Sequence, residues 1–167
     1  MKKKRVFIII LFFIVLMSST VYASDDRSAR SPRVVPPIIL KKGVYISSKY
    51  GYRVHPITKK WSVHRGVDIA APIGTPIYAI TDGQVTMARR NGSAGNEIRI
   101  KHGNGIESRY LHIDKRTVKV GDKVRAGQLI GTVGDTGRVT GPHLHFELRI
   151  GGKSVNPTKL IKGGIKK

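Results

Sequence analysis

The chain has no cysteine, so no disulfide can brace it, no thiolate can hold a metal, and an amino-terminal lipid on cysteine is excluded. Any metal must be held by histidine, aspartate or glutamate. Acids are the second scarcity. Ten Asp and Glu stand against 31 Lys and Arg, and the resulting formal charge of +21 calls for an anionic partner: nucleic acid, a membrane or a cell-wall polymer. Aromatics are few, with a single tryptophan, and neither an internal repeat nor a sustained heptad is present. No window carries an amphipathic helix of ordinary length. What is left, at 167 residues with 19 glycines, suffices for one modest core with many turns.

One long apolar run does occur, at the start. "MKKKR", the apolar stretch Val6 to Met17 and then "SSTVYAS" form the three regions of a secretory leader, with Val21 and Ala23 suiting cleavage before Ser24. The apolar stretch is shorter than the about 20 residues a bilayer span requires. Residues 1–23 therefore read as a signal peptide, leaving no stable membrane span and sending the chain to a periplasm, the cell wall or the medium. A basic chain outside the cytoplasm does not meet nucleic acid, which drops out as a partner. Residues 24–43 lack a period and carry three prolines, so they read as an extended basic linker. Residues 44–160 read as the folded domain and 161–167 as a basic tail.

Within that domain the pattern is short β-type runs broken by glycine, such as "GQVTMAR", "NEIRIKH", "IESRYLHI" and "QLIGTVG". The fold class is all-β, an antiparallel sheet or sandwich. The run "TGPHLHFELRI" raises the question of function. In a strand, His143, His145 and Glu147 share one face while Leu144, Phe146 and Leu148 share the other, so one face suits packing and the other chemistry. Upstream, "HRGVDIA" places Asp68 four residues after His64, with Gly66 allowing the chain to bend between them. Alone, H-x-x-x-D is a weak signal that a surface pair explains as well. Combined with H-x-H it offers a mixed nitrogen and oxygen set suited to zinc with one position open to water.

The blocks "GYRVHPI", "HRGVDIAAPIGTPIYAITDGQV", "GNEIRIKHGNG", "RYLHI", "VKVGDKVRAGQLIGTVGDTG", "TGPHLHFEL" and "VNP", in that order, resemble the LytM or lysostaphin-type zinc metallopeptidases that cut peptidoglycan cross-links, the M23 peptidases. The resemblance implies a duplicated-hybrid-motif β core with a substrate groove above it. It implies one zinc ion held by His64, Asp68 and His145, with His112 and His143 as catalytic histidines beside the metal. Zinc with two imidazoles and one carboxylate keeps a net positive charge, which brings the pKa of bound water near 7 and makes it the nucleophile. Histidines near it can move the proton and support the oxyanion. The H-E-x-x-H motif, whose glutamate serves as base in other zinc proteases, is absent.

The resemblance therefore implies a secreted zinc endopeptidase acting on peptidoglycan. The block around His64 looks more like the envelope-remodelling type, which favours the D-alanyl to diaminopimelate cross-link. Two other classes stay open: a glycyl-glycine-type bacteriocin, and a non-catalytic regulator that activates wall amidases. Complete ligands argue against the regulator. Arg53, Asn96 and Tyr110 are substrate-binding candidates, each with a plainer alternative. Arg53 can pin its loop, Asn96 can hold the "NGSAGNE" turn, and Tyr110, placed two residues before His112 on the same strand face, can simply wall the site. His55 reads as structural and His102 as solvent-facing. Glu147 is either an acceptor behind a ligand or a solvated carboxylate.

Overall fold

The computed structural model describes residues 33–162. The leader reading, 1–23, residues 24–32 of the linker reading and residues 163–167 of the tail lie outside them. Twelve strands follow one another: β1 (Tyr45–Ser48), β2 (Gly51–Val54), β3 (Trp61–His64), β4 (Val67–Ala70), β5 (Pro76–Tyr78), β6 (Gly83–Arg90), β7 (Asn96–His102), β8 (Ile106–Arg116), β9 (Lys123–Val124), β10 (Leu129–Val133), β11 (His143–Ile150) and β12 (Lys153–Val155). One short helix, α1 (Thr158–Lys162), closes the described chain. Among the described residues no helix is long and apolar enough to cross a membrane.

Ten strands form one antiparallel sheet whose main path runs β1-β4-β11-β8-β7-β6-β9, while β2 and β3 pair only with each other. Alternation in β11 is as the sequence predicts. Leu144 and Phe146 are buried with Val67, Ile69, Ile98, Ile100 and Ile113, while His143 and His145 face the other way. Strand pairing sets the site: β11 lies between β4 and β8, with His145 opposite both Asp68 and Leu111. A two-residue turn, Gly151 and Gly152, both with positive φ, joins β11 to β12, the backbone that a tight hairpin requires.

Two expectations at the domain edges are corrected. Residues 33–43 are docked rather than a free linker: the Val35 N–H donates to the Ile80 carbonyl and the Tyr78 N–H to the Pro37 carbonyl, each at 2.8 Å, and Ile38 is fully buried. Prolines 36 and 37 remove donors but leave acceptors, and the apolar run around them gains more from burial than the chain loses in freedom. At the other end, Ile161 and Lys162 belong to α1, and Ile161 enters the core. The Asn156 side chain accepts from the Thr158 N–H at 3.0 Å, and Pro157 occupies the first turn, so "VNP" caps the helix.

Candidate functional site

His64 ends β3, Asp68 lies in β4 and His145 in β11, and the three converge. Their ligand atoms all lie within 4.8 Å of one another. Asp68 Oδ1 is 2.8 Å from His145 Nδ1 and 3.1 Å from His64 Nε2, and the two ring nitrogens are themselves 3.1 Å apart. The outer contacts decide the tautomers. His64 Nδ1 is 2.8 Å from the Lys49 carbonyl and His145 Nε2 is 3.4 Å from Glu147 Oε1. Both oxygens only accept, so those outward nitrogens carry the hydrogen, and in the neutral rings the inward nitrogens present lone pairs. Three acceptors facing one point repel unless a cation or a proton sits between them. The donor set therefore fits a borderline metal ion such as zinc.

Protonation reflects the same crowding. Burial opposes charge on Asp68, but hydrogen bonds from His145 and His64 hold its carboxyl well below the usual carboxylate range. Burial also opposes charge on His145, yet the Asp68 and Glu147 carboxylates raise it to about 9. A proton on an inward nitrogen, like a cation at the same point, relieves the repulsion among the three acceptors. Asp68 Oδ2, turned away from this point, accepts from Arg53 at 3.1 Å.

Two further histidines stand beside the cluster. His112 and His143 have ring centroids 4.7 Å apart, and His143 Nε2 is 3.7 Å from Asp68 Oδ1. Each is oriented by a carbonyl. The Nδ1–H of His112 donates to Thr136 at 2.9 Å, and that of His143 donates to Gly141 at 2.8 Å, leaving both Nε2 atoms as acceptors. Burial lowers His112 to about 4, partly offset by the Thr136 carbonyl, so its ring is neutral at pH 7. All five residues open on a groove of about 470 Å³, whose walls include His55, Ser93 and Arg138.

Close backbone approach makes this convergence possible. A Cβ on Gly66 would collide with the Phe146 carbonyl and lie 2.9 Å from His145 Nε2, so the β3 to β4 link tolerates no side chain. Gly95 and Gly137 press their loops together in the same way, and the Arg138 N–H donates to the Ser93 carbonyl at 2.9 Å. Thr136, which aims His112, is fixed from the same loop pair by its own hydroxyl on the Ile113 carbonyl.

The substrate-binding candidates divide. Arg53 lines the groove, but its guanidinium is engaged by Asp68. Asn96 does not reach the groove. Its amide donates to the Ile113 and Asp114 carbonyls, and it holds the loop. Tyr110 is corrected outright: it is fully buried, tilted against Phe146 with ring centroids 5.3 Å apart, and its hydroxyl accepts from the Ile80 N–H. Parity failed because His112 has φ of 63°, a left-handed residue inside β8 that breaks the alternation. His102 is likewise buried, not solvent-facing, between the Asp82 carbonyl and the Ser108 hydroxyl. His55 is structural as expected, its Nδ1 accepting from the Ile57 and Thr58 N–H groups. Glu147 is buried behind His145. Sequence reasoning missed Thr136, Gly141 and Lys49, which act through backbone carbonyls that any residue could supply.

Residues 62–157 match the family model described as Peptidase family M23. The DD-carboxypeptidase/endopeptidase Mpg of Neisseria meningitidis serogroup B is 50 % identical over 115 residues, 69 % of this chain and 26 % of that protein. The peptidoglycan DD-endopeptidase ShyA of Vibrio cholerae is 54 % identical over 107 residues, 64 % of this chain and 25 % of that protein. The chain thus spans about a quarter of the length of these curated relatives. A crystal structure of a zinc-containing peptidase from Vibrio cholerae superposes with a TM-score of 0.69 at 40 % identity, covering 79 % of this chain and 40 % of that one.

Proposed function

The chain belongs to peptidase family M23, and on that premise we propose that it is an exported zinc-dependent endopeptidase hydrolysing peptide cross-links of bacterial peptidoglycan. The observation that carries the proposal is the set of three inward-facing acceptors, His64 Nε2, Asp68 Oδ1 and His145 Nδ1, at the floor of an open groove. The similarity to peptidoglycan DD-endopeptidases supports the D-alanyl to diaminopimelate bond over glycine bridges. The leader-like start and the basic charge support export to an anionic wall, in a periplasm or outside the cell.

His64, Asp68 and His145 would hold zinc, which when bound supplies Lewis acidity that makes a water nucleophilic at neutral pH. His112 and His143 are assigned the proton chemistry. Each keeps its Nδ1–H on a carbonyl and turns Nε2 into the groove, so either can take the proton of the attacking water. Once protonated, that imidazole becomes a donor, able to support the oxyanion and then deliver the proton to the departing amine as the C–N bond breaks. Glu147 and Arg53 act one layer out by fixing His145 and Asp68.

The test is to incubate the protein with purified sacculi of both cross-link chemistries, with and without a zinc chelator, and to identify released fragments by mass spectrometry. Chelator-sensitive loss of the diaminopimelate cross-link is expected. Intact walls of both kinds, from protein shown to contain zinc, would reject the endopeptidase.

A further inference from the structure

The β2–β3 hairpin has two faces with different tasks. Tyr52 lies opposite Val63 and Val54 opposite Trp61, so these four side chains share one face, while Arg53, Ser62 and His64 share the other and line the groove. The outer face is bare. Tyr52 is 81 % exposed, Trp61 74 %, Val54 48 % and Val63 44 %. The chain's single tryptophan therefore stands in water beside an exposed tyrosine, on a sheet of two strands that no third strand or helix covers among the described residues. Contiguous apolar surface of this kind marks a contact site.

We propose that this outer face is a glycan-binding platform, which holds the sugar strand that carries the cross-linked peptide; the proposal rests on the peptidoglycan reading given above. A pyranose ring presents C–H groups on its face and hydroxyls around its edge. Flat aromatic rings turned to solvent match the former, and the Tyr52 hydroxyl and Trp61 indole N–H can meet the latter. The two rings are diagonal neighbours across the strand pair, about 7–8 Å apart at their positions, a spacing that a disaccharide can cover. Neither ring stacks on another aromatic among the described residues.

The rim suits the same ligand. The turn from His55 to Lys60 is closed by the Lys59 N–H donating to the His55 carbonyl and the His55 N–H to the Lys60 carbonyl. It presents exposed Thr58, Lys59 and Lys60 as donors for hydroxyls, acetamido carbonyls and carboxylates. Continuity decides between a sugar and a separate protein partner. Val63 belongs to both the bare face and the groove wall, and Ile57, at the turn, also lines the groove. A peptide seated in that groove is covalently tied to a glycan strand, so the strand meets the platform at high effective concentration.

Trp61 is the reporter and Tyr52 the residue to change. The full chain, loaded with zinc, is titrated with soluble glycan strands stripped of peptide while tryptophan emission is recorded. A saturable emission change is expected, weakened about tenfold by Tyr52→Ser and retained by Tyr52→Phe, which keeps the ring. Thermal melting of each variant verifies folding. The ratio of the digestion rate on sacculi to that on a sugar-free cross-linked peptide dimer should also fall about tenfold in Tyr52→Ser. No emission change with glycan, or an equal loss on both substrates, overturns the platform. So does an emission change that follows protein concentration alone, with dimers in sedimentation, which would make this face a contact between copies. If the wild type binds glycan but cleaves neither substrate, the platform stands and the endopeptidase reading fails.

Discussion

The candidate site joins two regions of unequal construction. Asp68, His112, His143 and His145 stand on β4, β8 and β11, central strands whose opposite face is buried under Ile69, Ile113, Leu144 and Phe146. Arg53 and His64 stand on a hairpin whose opposite face is exposed. The sheet holds its site residues by packing, which is indifferent to what occupies the groove. The hairpin holds His64 and Arg53 by polar contacts to Asp68, His145 and the Lys49 carbonyl. A cation at the junction would tie the second region to the first, so the site is half built by the fold and half completed by its ligand.

The sharpest way to break that junction is His145→Ala. It removes one of the three proposed ligand atoms, and metal content and wall digestion should both fall to background. His112→Ala, one step from the ligands, should keep the metal while turnover falls about 10²- to 10⁴-fold. Metal analysis beside digestion rates checks both, and metal loss from His112→Ala would undo the division of roles. Next in size is a stability contrast. Phe146→Ala opens a cavity beneath the site and should cost about 3–5 kcal/mol, whereas Val54→Ala on the bare hairpin face should stay within about 0.5 kcal/mol. Denaturant melts of the two variants measure the difference, and equal losses would mean that the hairpin is packed after all.

A gentler probe leaves the sequence alone. Chelating the metal should raise amide exchange in β2 and β3 while β8 and β11 keep their protection, because only the hairpin relies on the junction. Uniform protection with and without metal would show that polar contacts alone anchor it.

The sheet was more legible in the sequence than the hairpin, for reasons that lie in particular residues. "HLHFELRI" declares its two faces by alternation, so the placement of His143, His145 and Glu147 followed from period two. Asp68 was legible only in combination with H-x-H, and Gly66, read as a bend, proves to be a close approach of backbone that a Cβ would block. Tyr110 was misplaced because nothing in "RYLHI" announces the positive φ at His112 that reverses the count. The residues that orient His64, His112 and His143 could not be read at all, because a backbone carbonyl leaves no mark on residue type. The hairpin misleads in another way. Arg53 was assigned to a loop, whereas "GYRV" and "WSVH" pair as strands, and their apolar face is the exposed one.

The smallest expected effect concerns a histidine far from the junction, inside the well-packed region. His102 Nδ1 is 2.9 Å from the Asp82 carbonyl, which can only accept, so the neutral ring offers Nε2 to the Ser108 hydroxyl at 2.7 Å. Ser108 in turn lies 3.1 Å from the Tyr110 hydroxyl, which makes a polar thread through the core. Burial lowers the His102 pKa, and the Asp82 and Thr81 carbonyls only partly offset this. As pH falls through the ordinary value of 6.5, the unfolded chain binds a proton before the folded ring does, so stability is lost from there down to the lowered folded value. His102→Gln, which carries no titrating group, should melt with a shallower fall between pH 7 and 5, the two profiles diverging by about a few degrees. Melting the zinc-loaded protein and the variant side by side keeps His145, whose shift has the opposite sign, out of the difference. Parallel profiles would mean that the Ser108 hydroxyl reorients and that the core accommodates the imidazolium, making the thread a proton-tolerant element rather than an acid-labile one.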